Sequence, residues 1–247
     1  MRRFYIAPGE INRADPSLTG EEARHIRQVL RLLPGDEILL FDGTGVEYLA
    51  RIRAIGRGKI EIAILERTFV SRESPIEVSL GIPFIRSQAM EWILQKGTEL
   101  GACSFQPFFS ARSSRNFRKE ESNSRRQRWQ KILIESAKQS GRNLLPELFE
   151  PVPFGTLLEK KSPGLSLIPY ERESSRKLAK LKEEYPGVKK IFVLIGPEGG
   201  FSPDEVESAL AGGFLSVSLG PRTLRSETAA LAMISLLQFI WGDMGEE

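Results

Sequence analysis

The sequence predicts an α/β protein with two domains, a small β-rich one over residues 1–72 and a larger one over residues 73–247. In the larger domain, short apolar runs at residues 191–195 and 214–219 each lead into a glycine turn and then into a helical segment. Apolar strands that alternate with helices indicate a buried parallel sheet with right-handed crossovers. In the smaller domain, short strands follow one another through glycine turns, which is typical of a small β-barrel.

The smaller domain contains one predicted helix and several hairpins. Thr19 and Glu22 have the spacing of a capping box, which predicts a helix that begins near residue 20. Residues 42–45, Asp-Gly-Thr-Gly, predict a hairpin turn, and apolar residues then alternate over residues 46–52. Residues 68–74 are polar and precede a proline, so they form the predicted linker.

The larger domain begins with a predicted strand at residues 77–82. Ser87 caps the helix that follows, and Gly101 ends it before an apolar strand at residues 103–109. Helical spacing of apolar residues predicts a further helix over residues 125–139. Three shorter elements precede the glycine turns: helices at residues 153–158 and 174–181, and a strand at residues 165–168.

Positive charge is concentrated in one segment of the chain. Residues 112–142 hold ten Lys and Arg against three Glu, whereas the whole chain has a net charge of only +3. A basic segment in a nearly neutral protein indicates a polyanionic partner, most commonly nucleic acid. The alternative is a solvated helix face with a basic loop.

The composition excludes several classes of chemistry. With one histidine, His25, and one cysteine, Cys103, the chain can form neither an intramolecular disulfide nor a zinc site of the Cys/His type. The apolar run at residues 229–241 is too short to span a bilayer, and the first ten residues lack the apolar stretch of a signal peptide. We therefore expect a cytoplasmic protein without a metal and without membrane association.

The two glycine turns are the strongest functional signal. The first is Gly-Pro-Glu-Gly-Gly at residues 196–200, and Ser202 and Glu205 then form a capping box for a helix. The second turn is centred on Gly220 and leads to a last helix that begins near Ser226. Both follow the carboxyl ends of predicted strands, which is the edge where open α/β sheets bind ligands.

These turns resemble the two cofactor loops of the SPOUT methyltransferases, in particular the RsmE-type family that methylates uridine N3 in 16S ribosomal RNA. The matching segments are residues 195–201 and 219–230. Residues 25–43 resemble the family's PUA-like domain, and residues 95–102 resemble another element of the family, with Gly97 in place of alanine. Residues 135–149 resemble a further family segment, with Lys138 in place of an acidic residue.

The resemblance implies a SPOUT-type α/β domain with a C-terminal trefoil knot and an N-terminal PUA-like β-barrel that holds RNA. It implies S-adenosyl-L-methionine as cofactor and 16S rRNA, in an assembled small ribosomal subunit, as substrate. It also points to a homodimer, as does the last helix, which is apolar on more than one face. A helix buried within one chain is the alternative explanation of that pattern.

The same resemblance assigns residues to roles. Arg225 is expected to stabilise negative charge on the uracil, and Glu227 and Glu198 are the two candidates for the proton acceptor. The expected cofactor contacts are Leu194, Ile195, Gly196, Glu198, Gly199, Gly200, Leu219, Gly220, Leu224, Arg225 and Thr228. The expected RNA contacts are Arg2, Arg3, Arg31, Arg112, Arg115, Arg118, Gln139 and Arg142.

Two other functions remain open at this point. A SPOUT protein of the same fold can methylate a ribose 2′-hydroxyl of another RNA. A non-catalytic RNA-binding protein can use the barrel and the basic segment in ribosome assembly. The intact pair of glycine turns favours an enzyme over the second of these.

Overall fold

The computed structural model describes residues 2–85, 87–112, 119–159 and 164–245. The chain divides into two compact units, one of residues 1–73 with 137–145 and the other of residues 74–136 with 146–247. The first unit thus includes a segment from the middle of the chain in addition to its N-terminal residues.

The first unit is built on one five-stranded sheet. Its strands are β1 (Arg3–Tyr5), β2 (Ser17–Thr19), β3 (Glu37–Phe41), β4 (Val46–Ile55) and β5 (Lys59–Phe69), and their order is β1-β3-β4-β5-β2. Strand β1 is parallel to β3, and the other pairings are antiparallel. Two short helices, α1 (Pro8–Ile11) and α2 (Gly20–Arg24), lie between β1 and β3, and α2 continues as a π-helix over His25–Leu30.

The predicted hairpin between β3 and β4 is confirmed. Gly43 and Gly45 have φ angles of 84° and 100°, a region that favours glycine. The Asp42 carboxylate is buried and accepts hydrogen bonds of 2.9 Å from the Thr44 backbone N–H and of 2.9 Å from the Tyr48 hydroxyl. These bonds satisfy the buried charge and fix the turn.

The predicted capping box at Thr19 and Glu22 is wrong. Thr19 is the N-cap of α2, but its side chain makes no capping hydrogen bond. The Glu22 carboxylate instead accepts from the Tyr5 backbone N–H at 3.2 Å and pairs with the Lys138 ammonium at 3.0 Å. The Glu22 side chain is held by a long-range ion pair and therefore does not complete the local capping box.

The second unit contains the predicted parallel sheet, which has seven strands. Its strands are β6 (Glu77–Pro83), β7 (Ala102–Phe109), β8 (Glu147–Leu148), β9 (Val152–Pro153), β10 (Leu165–Pro169), β11 (Lys190–Leu194) and β12 (Leu215–Val217). Two short strands among them, β8 and β9, are not predicted from the sequence. Their order is β12-β10-β11-β6-β7-β8, with β9 also paired to β7, and every pairing is parallel.

Helices connect these strands. They are α3 (Ser87–Glu99), α4 (Lys119–Ser140), α5 (Phe154–Glu159), α6 (Leu178–Glu184), α7 (Pro203–Ala211) and α8 (Ser226–Ile240). In the described part of the chain, no helix combines the length and the apolarity needed to cross a membrane.

Helices α3 and α8 pack together in the core of the second unit. Strand β7 also packs against α3, and this contact explains Gly97, where the family resemblance leads one to expect alanine. A Cβ at this position would lie 2.9 Å from the Phe105 ring and 3.4 Å from Ile234. Glycine lowers helix propensity by up to about 1 kcal/mol, but here it lets a fully buried aromatic ring approach the helix backbone.

Candidate active site

A cavity of about 360 Å³ lies at the carboxyl edge of the parallel sheet. Three loops line it, from residues 169–171, 196–201 and 219–229. Each loop follows the carboxyl end of a strand, β10, β11 and β12 respectively. The size is that of a small-molecule site, for which volumes of roughly 300–1,000 Å³ are usual.

The first glycine turn connects β11 to α7. The Gly200 N–H donates to the Pro197 carbonyl at 2.8 Å, and Gly200 has a φ angle of 69°. A Cβ on Gly196 would lie 3.1 Å from the Phe201 ring, so the glycine permits this close packing.

The predicted capping box that follows this turn is confirmed. The Glu205 N–H donates to the Ser202 hydroxyl at 3.2 Å, and the Ser202 N–H donates to the Glu205 carboxylate at 2.8 Å. The start of α7 is therefore fixed directly after the cavity-lining turn.

The second glycine turn connects β12 to α8. Gly220 has a φ angle of 101°, which only glycine adopts without strain. Leu219 and Leu224 add apolar side chains to the cavity wall, and Arg222 and Thr223 add polar ones. Arg225 is the N-cap residue of α8, immediately beyond the turn.

The third loop, which contains Tyr170 and Glu171, was not predicted as part of the site. It comes to the cavity because β10 lies between β11 and β12 in the sheet. That strand order cannot be read from the sequence. The only sequence signal was the position of the loop at the carboxyl end of a predicted strand.

Glu173 anchors this third loop to the sheet. Its carboxylate accepts from the Ser216 hydroxyl at 2.6 Å, and from the Ser175 hydroxyl and backbone N–H at 2.7 and 2.8 Å. These hydrogen bonds, of which the one from Ser216 has the largest effect, lower the pKa of Glu173 from its ordinary 4.5 to about 2. The carboxylate is therefore ionised and bound at neutral pH.

Most of the expected cofactor residues lie around the cavity. Seven of them line it: Gly196, Glu198, Gly199, Gly200, Leu219, Gly220 and Leu224. The side chains of Leu194 and Ile195 are instead fully buried in the apolar cores on either side of the sheet. Arg225 and Thr228 are exposed next to the lining residues without being among them.

The three expected catalytic residues are close in sequence to the lining but differ in exposure. Glu198 is exposed and lines the cavity, whereas Glu227 is half-buried in the first turn of α8. Arg225 is exposed, and among the described residues its side chain makes no hydrogen bond or ion pair. Its guanidinium is thus available to a ligand.

Two of the expected RNA contacts are corrected by the structure. The Arg142 side chain is buried and pairs with Glu73 at 2.6 Å. The Arg3 guanidinium, which is also largely buried, donates to the Arg142 carbonyl at 2.7 Å and to the Asn143 side chain. Both arginines hold residues 137–145 within the first unit, so their cationic groups are not presented to RNA.

The remaining expected RNA contacts fall into two groups. Arg2, Arg31, Arg112 and Gln139 are exposed. Arg115 and Arg118 lie outside the described residues. Within the described residues, no cluster of three or more His, Cys, Asp or Glu side chains that could hold a metal ion is present.

The second unit has a parallel α/β sheet with a three-loop cavity at its carboxyl edge, and the chain also contains a β-rich unit and a basic segment. Together these features indicate a two-domain RNA-modifying enzyme. Residues 72–238 match the family described as RNA methyltransferase domain, and residues 18–65 match the RNA methyltransferase PUA domain. The chain therefore belongs to the RNA methyltransferase family that includes ribosomal RNA small subunit methyltransferase E.

Individual relatives match over nearly the whole chain. Ribosomal RNA small subunit methyltransferase E of Bacillus subtilis (strain 168) is 33% identical over 97% of this chain and 96% of its own length. The Synechocystis protein of the same name is 35% identical over 95% of this chain and 77% of its own. The crystal structure of the Neisseria gonorrhoeae enzyme, bound to S-adenosyl methionine, superposes with a TM-score of 0.88 at 33% identity and covers 99% of both chains.

Proposed function

We propose that this protein transfers the methyl group of S-adenosyl-L-methionine to N3 of a uridine in 16S ribosomal RNA. The observation that carries the proposal is the cavity lined by both glycine turns at the carboxyl edge of the sheet. Its support is the family membership and the bound S-adenosyl methionine in the Neisseria gonorrhoeae relative.

The residues of the cavity suit such a cofactor. Gly196, Gly199 and Gly220 have no side chain, so backbone N–H and C=O groups can approach an adenine and a ribose closely. Leu219 and Leu224 supply apolar walls. The exposed Glu171 carboxylate, on the third loop, is suited to a ribose hydroxyl or an amino group. When bound, the cofactor supplies an activated methyl group.

The acceptor atom sets the chemical demands on the protein. Uridine N3 carries a weakly acidic proton on the pairing edge of the base, so the nucleotide must be unpaired and its proton must be removed. In this proposal Arg225 stabilises the negative charge that develops on the uracil oxygens. Glu198 and Glu227 are the two candidates for the proton acceptor, and Glu198 lines the cavity.

We further propose that the substrate is bound by the basic segment and by the first unit, with an assembled small subunit as the natural form of the RNA. The support is the PUA match over residues 18–65 and the excess of positive charge over residues 112–142. Phosphate contacts of this kind supply affinity without sequence information. Methylation assays on naked 16S rRNA and on isolated subunits compare the two forms directly.

The knot and the homodimer are part of the same proposal. The support for a dimer is the exposed apolar surface of α8, where Phe239 is 63% and Leu236 40% exposed. Isolated exposed apolar residues are ordinary, but Leu236 and Phe239 are three residues apart and therefore neighbours on the surface of one helix, which suits an interface. For the domain boundary we retain residues 72/73, with residues 137–145 packed on the first domain.

Two measurements test the function. Calorimetry with S-adenosylhomocysteine tests cofactor binding by the purified protein. Mass spectrometry of 16S rRNA from a strain that lacks the gene then shows whether an N3-methyluridine is lost and whether the purified protein restores it. Loss of a ribose 2′-O-methyl group instead would identify the other reaction, and absence of cofactor binding would favour the non-catalytic alternative.

A further inference from the structure

The basic loop, residues 110–118, is hydrogen-bonded through its first residues to the first glycine turn and to the start of α7, which follows that turn. Residues 110–112 form the beginning of the basic loop, directly after β7, and residues 196–200 form the cavity-lining turn after β11. From their sequences, the two segments are expected to bind different ligands, RNA and cofactor. Their contacts indicate that they act together.

The first contact is made by Arg112. Its Nη1 donates a hydrogen bond of 2.7 Å to the carbonyl oxygen of Gly199. The aliphatic part of the same side chain packs on this glycine, because a Cβ at Gly199 would lie 3.6 Å from both Cβ and Cδ of Arg112. Arg112 therefore restrains the backbone of a residue that lines the cavity.

The second contact is made by Glu205. One oxygen of its buried carboxylate, Oε1, accepts from the Ala111 N–H at 2.8 Å. The other, Oε2, accepts from the Ser202 N–H at 2.8 Å and from the Ser110 hydroxyl at 3.4 Å. The residue that completes the capping box of α7 thus also fixes the backbone from which Arg112 projects.

A carboxylate suits this position for two reasons. It is a double acceptor, so it satisfies N–H donors from both segments at once. It also lies in the first turn of α7, where the N-terminal end of a helix favours negative charge. A glutamine would offer one acceptor oxygen and would place an NH₂ group against the second N–H donor.

We propose that Arg112 and Glu205 are positioning residues for the cofactor turn, with Glu205 holding Ala111 in place and Arg112 holding the Gly199 carbonyl. The inference rests on the proposed function, because it takes residues 196–200 to bind the cofactor. It changes the role of Arg112, which from its sequence is expected to contact RNA alone. The two roles of Arg112 are distinguished by cofactor binding in the absence of RNA, which a substitution of Arg112 weakens only if Arg112 positions the turn.

The test compares binding of S-adenosylhomocysteine by calorimetry in the absence of RNA. Because Arg112 is exposed and acts on the cofactor only through the Gly199 backbone, we expect Arg112→Ala to weaken binding about threefold to tenfold. Arg128→Ala is the matched control, because Arg128 is an exposed arginine of the same basic segment that pairs with Glu91 instead, away from the cavity lining. In steady state, Arg112→Ala should raise the KM for the cofactor and leave kcat at saturating cofactor unchanged.

Glu205→Gln and the double variant test the link between the two residues. If Glu205 acts by placing Arg112, the two substitutions share one effect, so the double variant should bind only slightly worse than Glu205→Gln alone. Far-UV circular dichroism and thermal melting report whether Glu205→Gln is folded. If Glu205→Gln is not folded, Arg112→Ala alone tests the inference, because Arg112 is exposed and its substitution does not disturb the core.

Two outcomes overturn the inference. Cofactor affinity of Arg112→Ala equal to that of Arg128→Ala and the unmodified protein would reduce Arg112 to an RNA contact. Fully additive losses for Arg112→Ala and Glu205→Gln would show that the two residues act separately. A failure of the unmodified protein to bind the ligand is a different result, which would refute the proposed function itself.

Discussion

The Ser226 hydroxyl donates a hydrogen bond of 2.6 Å to the carbonyl oxygen of Gly196. Ser226 is the first residue of α8, which follows the second glycine turn, and Gly196 opens the first turn. The bond therefore joins the two turns directly. The Ser226 side chain is buried, and both residues of the bond line the cavity.

We expect Ser226→Ala to weaken cofactor binding by about threefold to tenfold, because one hydrogen bond contributes roughly 0.5–1.5 kcal/mol net. Ser235→Ala, in the same helix and outside the cavity, is the control. Calorimetry with S-adenosylhomocysteine gives both affinities. Equal affinities for the two variants would mean that the turns are held by other contacts.

Valine at Gly220 or Gly199 should abolish cofactor binding and leave the fold intact. At Gly220 the φ angle of 101° is strained for valine, so the turn must change shape. At Gly199 the backbone carries no such restriction. A new Cβ would lie 3.6 Å from Cβ and Cδ of Arg112, so the branched side chain of valine displaces Arg112 and the turn that it restrains. Gly187→Val, at an exposed glycine with open space around it, is the control. Retained binding in both cavity variants would contradict the assignment of the turns.

Arg225→Ala should lower the single-turnover methylation rate with little change in RNA affinity. The reason is that an interaction with developing charge is stronger in the transition state than in the ground state. A loss of about 2.7–4 kcal/mol, or 100- to 1,000-fold in rate, is usual for a group of this kind. Arg31→Ala, an exposed arginine of the first unit, serves for comparison: there we expect weaker binding and a salt slope lower by roughly one unit. A normal rate for Arg225→Ala would remove its chemical role.

Phe239→Glu should convert the proposed dimer into a monomer. Phe239 is largely exposed on α8, so the substitution costs little in an isolated chain but buries an unpaired charge in an interface. Light scattering at micromolar concentration measures the mass of both proteins. Glu207→Gln, on an exposed position of α7, controls for surface charge. An unmodified protein that is already monomeric at this concentration would refute the dimer.

Glu173→Gln should lower stability at neutral pH, and the difference should disappear in acid. Because the folded state holds the pKa of Glu173 at about 2, below its ordinary 4.5, ionisation of this group favours folding. Its contribution is complete above about pH 4.5 and is lost as the pH falls through about 2. Thermal melts of both proteins between pH 6 and about pH 2 should therefore converge at the acid end. A constant difference over this range would show that the charge is not involved.

How far the sequence predicts this protein depends on whether a feature is local. The capping box of Ser202 and Glu205 and the turn at Gly220 were correctly predicted, because neighbouring residues determine both. The capping box of Thr19 and Glu22 was not, because Lys138 and the Tyr5 N–H compete for the carboxylate from distant parts of the chain.

The same distinction applies to the site. The glycine turns were identified, but Tyr170 and Glu171 were missed because the strand order that brings them to the cavity is a property of the whole sheet. Arg142 was predicted to contact RNA because it belongs to a Gln-Ser-Gly-Arg segment that resembles the family's and offers polar donors at a helix end. Its partner Glu73 lies far away in sequence, and only the three-dimensional structure shows that the charge is already neutralised.

The all-parallel sheet has a consequence for how the chain reaches its native state. Val78 of β6 pairs with Ile191 of β11, so a central pairing of the sheet encloses more than half of the second unit as a loop. Pairings of such long range are slow to form, since the entropy of closing the loop is lost before the contacts are gained. The three loops of the cavity follow β10, β11 and β12 of this sheet, so the cavity is complete only after these long-range pairings have formed. A newly made protein can therefore bind its small-molecule ligand only at the end of folding. Ligand binding then stabilises the folded state and does not assist the earlier steps of folding.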